Sequence, residues 1–172
     1  MDMVKDGLGE KDIRTIHMAV LLDRLGVDEN PRHLAEIHWE SMLQNMHIYL
    51  DALETLAKLG EKYQLTMITN GATELQKEKI RRLDIENSLK EIIVSQELGH
   101  HKPSPEIFNE MTQRIGCKPD EITYIGNDYR KDVMGAHDAG WKTIWANRRD
   151  ETSDTVTPDH TIKELRELHE FL

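Results

Sequence analysis

From about residue 49 onward, short apolar runs alternate with longer amphipathic segments, and this alternation restricts the chain to few folds. The runs YQLTMIT, EIIVS, EITYIG and WKTIWA have the length and residue types of buried strands. The segments between them, such as SPEIFNEMTQRIG, have the spacing of helices. Strands that alternate with helices predict βαβ units, which build a parallel sheet through right-handed crossovers. The expected fold class is therefore α/β.

The first 48 residues have a different pattern, which predicts a helical hairpin. One helix ends at Gly26, and a second begins with Asn30 as its N-cap and a proline in its first position. Apolar residues that we expect to pack between the helices recur at helical spacing: Ile13, Ile16, Val20, Ala35, Trp39, Met42 and Met46. The predicted boundary between the two parts falls near residue 48.

The charge balance excludes some classes of partner. The chain has 22 basic and 32 acidic residues, a formal net charge of −10, so its surface repels nucleic acid and anionic membranes. A small anionic substrate is still compatible with a local cluster of cations and backbone amides. The single cysteine, Cys117, and the lack of a secretory or membrane-spanning segment predict a cytoplasmic protein.

Polar residues follow the predicted strands at the edge where parallel strands carry their binding sites. The first run closes in Thr69, Asn70 and Gly71, the second is followed by Lys102, and the third closes in Asn127 and Asp128, with Asp132 one helical turn later. A hydroxyl beside backbone amides binds phosphoryl oxygens, a lysine neutralises negative charge, and carboxylates suit Mg²⁺. The alternative for the two acids is that they cap a helix start.

These motifs, in the order MITNGATELQKEKIRRL, HHKPSPEIF and YIGNDYRKDVMGAHDAGWKTIWANR, resemble the haloacid dehalogenase-like hydrolase superfamily. The resemblance is to the branch with a helical cap before the second motif. It implies a Rossmann-like parallel sheet over residues 49–172 and a partial helical cap over residues 1–48. It also implies a Mg²⁺-dependent phosphatase that acts on a small phosphorylated metabolite.

The resemblance assigns roles by position. Thr69 matches the phosphate-binding residue of the second motif, and Asn70 and Gly71 match the adjoining anion-binding turn. Lys102 matches the lysine that steadies the nucleophile and the phosphoryl group. Metal binding falls to three residues: Asn127, Asp128 and Asp132. Relatives often have Gly-Asp-Ser where this chain has Gly-Asn-Asp, so either Asn127 or Asp128 is the direct ligand.

The family's first motif, an Asp-x-Asp at the end of the central strand, does not occur anywhere in this sequence. The resemblance therefore predicts a chain that begins within the cap and a core that lacks its first strand. A sheet without that strand has two open edges, which favours a homodimer or another partner that covers them. The alternative function is a non-catalytic binding or interaction protein. Dehalogenation of a 2-haloacid is disfavoured, because it needs no metal and the acid pair suits Mg²⁺.

Overall fold

The computed structural model describes residues 10–153 and 155–172 of the chain, which divides into two compact units. The first unit ends at His47 and is helical, and the second spans Ile48–Leu172 and contains every strand among the described residues. Within those residues, each helix is too short or too polar to cross a lipid bilayer.

The N-terminal unit is a hairpin of α1 (Glu10–Leu25) and α2 (Pro31–Gln44). The side-chain oxygen of Asn30 accepts hydrogen bonds from the backbone N–H groups of Arg32 at 3.0 Å and His33 at 3.2 Å. These bonds satisfy two of the free donors at the start of α2, so the predicted N-cap is confirmed.

The predicted apolar stripes of this hairpin are only partly correct. Ala35 is buried, but Val20 is 49% exposed. Trp39 is half-buried, and the guanidinium carbon of Arg14 lies 3.6 Å from the centroid of its ring. Leu43, which directly follows Met42 and is not part of the predicted stripe, is buried.

The second unit alternates strands and helices, which confirms the predicted α/β class. Its elements are α3 (Ala52–Gly60), β1 (Thr66–Thr69), α4 (Thr73–Arg82), β2 (Glu91–Val94), α5 (Ser95–Leu98), α6 (Pro105–Ile115), β3 (Thr123–Gly126), α7 (Gly135–Asp138), β4 (Lys142–Ala146) and β5 (His160–Ile162). Three 3₁₀ segments cover Glu86–Ser88, Pro119–Glu121 and Leu165–Glu170, and a π-helical segment, Tyr129–Met134, leads into α7.

The strands form two parallel sheets. β1 pairs with β2, with Ile68 opposite Ile93, and β3 pairs with β4, with Ile125 opposite Ile144. β5 adds in parallel to the other edge of β4. In the described part of the chain, no backbone hydrogen bond joins β1 to β3.

One hydrophobic core packs against both sheets. Ile68 of β1, Ile93 of β2 and Phe108 of α6 belong to the same buried cluster. The ring of Phe108 also meets the ring of Tyr124 in β3, with centroids 5.5 Å apart in an edge-to-face arrangement. The sheets therefore lie side by side on α6, and β1 and β3 each have one edge that no strand in the described part of the chain covers.

Burial along the strands is consistent with an open edge at β3. All four residues of β3 are only half-buried, whereas Thr143, Ile144 and Trp145 of the neighbouring strand β4 are buried. β4 has a strand on each side and β3 has one on a single side, so no strand of residues 10–153 or 155–172 pairs with its second edge.

The closing residues TIKELRELHEFL place Ile162, Leu165 and Leu172 at helical spacing, which predicts a helix, and the structure differs from this prediction. His160–Ile162 pairs with β4 as a strand, and a short 3₁₀ segment, Leu165–Glu170, follows. Ile162 and Leu168 are 1% and 2% exposed and pack in the second core, which lies with Leu59 and Ile144. Burial of Ile162 against β4 decides the strand, because the same spacing of apolar residues suits either structure.

Candidate active site

The loops that follow β1, α5 and β3 bring together three of the predicted site residues. The Lys102 ammonium lies 2.8 Å from Oδ1 of Asp132. The backbone N–H of Lys102 donates a hydrogen bond of 2.8 Å to Oδ1 of Asn70. These residues are distant along the chain and meet because the carboxyl ends of parallel strands share one edge.

The ion pair of Lys102 and Asp132 is largely removed from solvent. The two side chains are 11% and 7% exposed. The Lys102 ammonium also donates a hydrogen bond of 2.7 Å to the hydroxyl of Tyr124. A lysine ammonium carries three N–H donors, and described residues accept two of them here, which leaves one for a bound anion.

Tyr124 is a site residue that sequence reasoning missed. Its hydroxyl lies 3.4 Å from Oδ1 of Asp132 and 3.4 Å from the carbonyl oxygen of Ile68 in β1. Burial raises the pKa of Tyr124 well above its usual value, and the neighbouring Asp132 carboxylate raises it further. The phenol therefore stays protonated, and it connects β3 to β1 across the open edges. The available signal was a polar aromatic residue inside a buried strand.

The Asn70 carboxamide makes hydrogen bonds with the backbone of Lys102. Its Nδ2 donates to the carbonyl oxygen of Lys102 at 2.9 Å, and its Oδ1 accepts the Lys102 N–H. The backbone carbonyl of Asn70 accepts a hydrogen bond of 2.6 Å from the Gln76 side chain. The resemblance places Asn70 in an anion-binding turn, and any contact of its side chain with an anion competes with these two hydrogen bonds.

Gly71 is required by its backbone conformation and its neighbours. Its φ of +146° favours glycine, and a Cβ at this position would lie 2.5 Å from Nε2 of Gln76. The Gly71 N–H donates to Oγ of the fully buried Ser95 at 3.0 Å. The expectation that this amide is free for a phosphate differs from the structure, because a protein acceptor already satisfies it.

Thr69 ends β1 directly before this turn, and its side chain is half-buried. Its hydroxyl makes no hydrogen bond with any residue in the described ranges. Among the predicted phosphate-binding groups, the Thr69 hydroxyl and the third donor of Lys102 are therefore open to a ligand as far as the described residues are concerned.

Asp128 caps the helical segment that follows β3. Its Oδ1 accepts the backbone N–H of Lys131 at 2.9 Å, and its Oδ2 pairs with the Lys131 ammonium at 2.7 Å. Burial opposes ionisation of Asp128, yet the bonds from Lys131 lower the pKa of this carboxyl below its usual value. The capping alternative is thus observed for Asp128.

Asp132 and Asn127 are held by different contacts. Oδ2 of Asp132 accepts the backbone N–H of Asp128 at 3.0 Å. The carbonyl oxygen of Asn127 accepts a bond of 3.1 Å from the indole N–H of Trp145, and the Asn127 side chain is exposed. A Cβ on Gly126 would lie 2.3 Å from Cβ of Asp132, so only glycine fits between strand and helix there.

Oxygen ligands for a hard cation are available in part. The carboxylate of Asp132 and the amide oxygen of Asn127 or the carboxylate of Asp128 are the ligand types that Mg²⁺ prefers. Across the described residues, no three His, Cys, Asp or Glu side chains are grouped as a metal site requires. The donor chemistry therefore fits Mg²⁺, and these residues supply only part of a coordination shell.

A cavity of about 270 Å³ opens beside Asn127, at the ends of β3 and β4. Arg148 lies in its wall, with the guanidinium carbon 4.1 Å from the ring centroid of Tyr49. Asp51 accepts two bonds from Nη2 of Arg148, at 2.9 and 2.8 Å, and a third from the backbone N–H of Leu165. The cavity wall is thus fixed by a charge-assisted network.

The sequence profile of the haloacid dehalogenase-like hydrolases matches residues 11–146. The chain belongs to this family. The match covers both the N-terminal hairpin and the strand ends that hold Lys102 and Asp132.

Curated members of the haloacid dehalogenase-like family with similar sequences are phosphatases by name. The chain is 34% identical to a glyceraldehyde 3-phosphate phosphatase of Methanopyrus kandleri over 88% of this chain and 69% of that protein. It is 36% identical to one from Methanothermobacter thermautotrophicus over 69% of this chain and 55% of that protein. A phosphoserine phosphatase of Thermus thermophilus is 30% identical over 83% of this chain and 58% of that protein. The chain thus spans between about half and about two thirds of these relatives.

Solved structures of the family share the fold. A HAD-hydrolase from Bacillus subtilis, YfnB, solved bound to magnesium, superposes with a TM-score of 0.78 at 23% identity, covering 98% of this chain and 75% of that one. A 2-haloacid dehalogenase from Pseudomonas syringae superposes with a TM-score of 0.74 at 27% identity, over 93% and 70%.

Proposed function

We propose that this chain carries the phosphoryl-binding part of a Mg²⁺-dependent phosphatase for a small phosphomonoester. The observation that carries the proposal is the Lys102 ammonium, which is nearly buried, is paired with Asp132 and has one N–H donor that no described residue accepts. The half-buried Thr69 hydroxyl, at the end of β1, supplies a second open donor. The curated relatives named as phosphatases support the reaction class.

Each residue has a physical role in this proposal. Lys102 neutralises charge on the phosphoryl oxygens in a site where low exposure strengthens the interaction. Thr69 donates a hydrogen bond to the same group. Asp132 directs the ammonium at the strand ends, because its Oδ1 accepts a hydrogen bond of 2.8 Å from Nζ of Lys102.

Asp132 and Asn127 are the proposed magnesium ligands. Asn127 is preferred to Asp128 because its side chain is exposed, whereas the Asp128 carboxylate caps a helix and pairs with Lys131. Asp132 also has partners, Lys102 and the Asp128 N–H, and would hold the ion through the remaining lone pairs of its carboxylate. When bound, Mg²⁺ supplies positive charge that polarises the phosphoryl group. The magnesium-bound Bacillus subtilis relative supports this proposal.

A nucleophile is not assigned, because the sequence contains no Asp-x-Asp. This observation favours a second candidate function, a non-catalytic protein that binds a phosphorylated metabolite without turnover. Lys102 and Thr69 bind the anion in both candidates, so binding and hydrolysis have to be measured separately.

The open edges of β1 and β3 are the proposed partner surface. β1 and β3 pack on the same core, and each has an edge with which no described strand pairs. Because β3 is also only half-buried, a strand from a second copy of the chain or from another protein could pair with these edges. Light scattering across a concentration series tests the homodimer, and a monomer at all concentrations contradicts it. A cytoplasmic location stays a prediction, which rests on the single, unpaired Cys117.

Calorimetric titration with inorganic phosphate in MgCl₂ tests the binding part of the proposal. We expect measurable affinity in the native chain and its loss in Lys102→Met. The matched control is Lys90→Met, since Lys90 is exposed and its substitution removes an equal charge. Equal phosphate affinity in both variants contradicts the site.

Hydrolysis of p-nitrophenyl phosphate, with and without EDTA, separates the two candidate functions. Turnover that requires Mg²⁺ and is lost in Lys102→Met supports the phosphatase. Phosphate binding without turnover supports the binding protein. Chloride release from 2-chloropropionate, unaffected by EDTA, would instead assign dehalogenation and overturn the metal-dependent reaction.

A further inference from the structure

Lys102 is held at its backbone by a residue that follows β1 and at its ammonium by a residue of β3. At the backbone, two hydrogen bonds join it to the Asn70 carboxamide, one in each direction, at 2.8 and 2.9 Å. At the ammonium, the Tyr124 hydroxyl accepts a bond of 2.7 Å. Asn70 follows β1 and Tyr124 lies within β3, so the lysine lies between the two sheets.

The two hydrogen bonds from Asn70 fix the position of the Lys102 backbone. A carboxamide that hydrogen-bonds both the N–H and the carbonyl of one residue makes the same two bonds that a neighbouring strand would make, and it holds that residue in one orientation. Asn70 is itself held through its own carbonyl by Gln76. The loop around Lys102 is thereby tied to the turn after β1.

The hydrogen bond to Tyr124 fixes the position of the Lys102 ammonium. The phenol ring is itself held by edge-to-face contact with Phe108 at 5.5 Å between centroids. Its hydroxyl is 3.4 Å from Asp132 and 3.4 Å from the Ile68 carbonyl, which are the acceptors available to its own proton. The hydroxyl oxygen is therefore presented to the ammonium as an acceptor.

We propose that Asn70 and Tyr124 are the positioning residues of Lys102, with Asn70 setting its backbone and Tyr124 directing its ammonium so that one N–H donor faces the ligand. The consequence for anion binding rests on the phosphoryl-binding function proposed above. A lysine ordered before binding loses less side-chain entropy when the anion arrives, so affinity improves without a new contact.

The test is the rate at which Lys102 is acetylated by acetic anhydride, measured residue by residue by mass spectrometry on the full chain. In the absence of phosphate, we expect Tyr124→Phe and Asn70→Ala to raise the Lys102 rate at least fivefold over the native chain. Tyr124→Phe keeps the ring that packs on Phe108, so it removes the hydroxyl with little change in packing.

Two matched variants and the other lysines control for unfolding. Tyr63→Phe and Asn87→Ala make the same chemical changes at exposed positions and should leave the Lys102 rate unchanged. The exposed Lys90 should react equally in all variants. If Asn70→Ala raises every lysine rate, Asn70→Asp replaces it, because an aspartate keeps the acceptor for the Lys102 N–H and removes only the donor.

A second arm repeats the labelling with increasing inorganic phosphate. Protection of Lys102 in the native chain reports binding, and we expect its midpoint to rise about tenfold in Tyr124→Phe, the size of effect expected when one lysine side chain has to be ordered on binding. No protection in the native chain overturns the phosphoryl-binding function alone. A Lys102 rate in Tyr124→Phe and in the Asn70 variant equal to that of their controls overturns the positioning roles, whatever phosphate does.

Discussion

The Lys102 ammonium and the Asp132 carboxylate are 2.8 Å apart and 11% and 7% exposed, and they come from loops after different elements of the fold. A pair so placed joins the segment before α6 to the segment after β3. Its two charges depend on each other, because either one alone would be buried without compensation.

Removing one charge of this pair should therefore cost more than removing both. We expect Lys102→Met or Asp132→Asn alone to lower the free energy of unfolding by about 3 kcal/mol, and the double variant to lose clearly less than the sum of the two. Urea denaturation of the four proteins measures the coupling. Lys58→Met is the control, since the Lys58–Glu54 pair is 53% and 72% exposed, so solvent screens it and its loss should change the free energy of unfolding little. Additive losses would contradict a coupled pair.

The Trp145 indole should determine the mobility of the loop after β3. Trp145→Phe removes the bond of 3.1 Å to the Asn127 carbonyl and keeps an aromatic ring against Tyr129. We expect faster amide hydrogen exchange over residues 127–131. Trp141→Phe is the matched control: Trp141 is also buried, but its indole bonds Thr112, so residues 127–131 should exchange as in the native chain. Equal exchange in both variants would show that the indole bond does not order this loop.

Part of this site follows from the sequence, and part depends on tertiary contacts. The meeting of Lys102 and Asp132 was predictable, because polar residues at the carboxyl ends of parallel strands converge. The hydrogen bonds from the Asn70 carboxamide to the Lys102 backbone could not be predicted, since only the fold shows which backbone segment lies beside this side chain. Tyr124 was missed for the same reason: its hydroxyl matters because β1 lies beside β3.

The strand order also shows the limits of periodicity. Apolar runs predict four strands, but the helical spacing of residues 161–172 conceals the strand His160–Ile162, because a three-residue strand is too short to show alternation. Its assignment depends on pairing with β4, which no local pattern contains.

Gly126 should be intolerant of any side chain. A Cβ there would lie 2.3 Å from Cβ of Asp132, so Gly126→Ala must displace the helical segment that carries this acid. We expect a loss of about 2 kcal/mol or more in the free energy of unfolding, together with weaker phosphate binding. Gly60→Ala is the control, because its Cβ would meet only a Leu65 methyl at 3.8 Å, an ordinary contact. A stable Gly126→Ala chain with native affinity for phosphate would show that this close approach is not required.

The bonds between Asp51 and Arg148 should stabilise the fold in a pH-dependent manner. Burial raises the pKa of Asp51, but the hydrogen bonds from Arg148 and from the Leu165 backbone outweigh it, so the pKa of this carboxyl lies below its reference value of 3.8. A carboxyl with a lowered pKa in the folded state stabilises the fold above its unfolded pKa. That contribution is lost as the pH falls through the folded pKa.

Asp51→Asn tests this by urea denaturation at pH 7, 4.5 and 3. At pH 7 and 4.5 the native chain should exceed the variant by about 2 kcal/mol, the value of hydrogen bonds to a charged group, and the difference should shrink at pH 3. Comparing the two chains at each pH cancels the titration of every other acid. Asp150→Asn removes an acid whose pair with Lys163 is 72% and 63% exposed, so its difference from the native chain should stay near zero throughout. A difference for Asp51→Asn that grows towards pH 3 would mean that burial, and not Arg148, dominates the ionisation of this carboxyl.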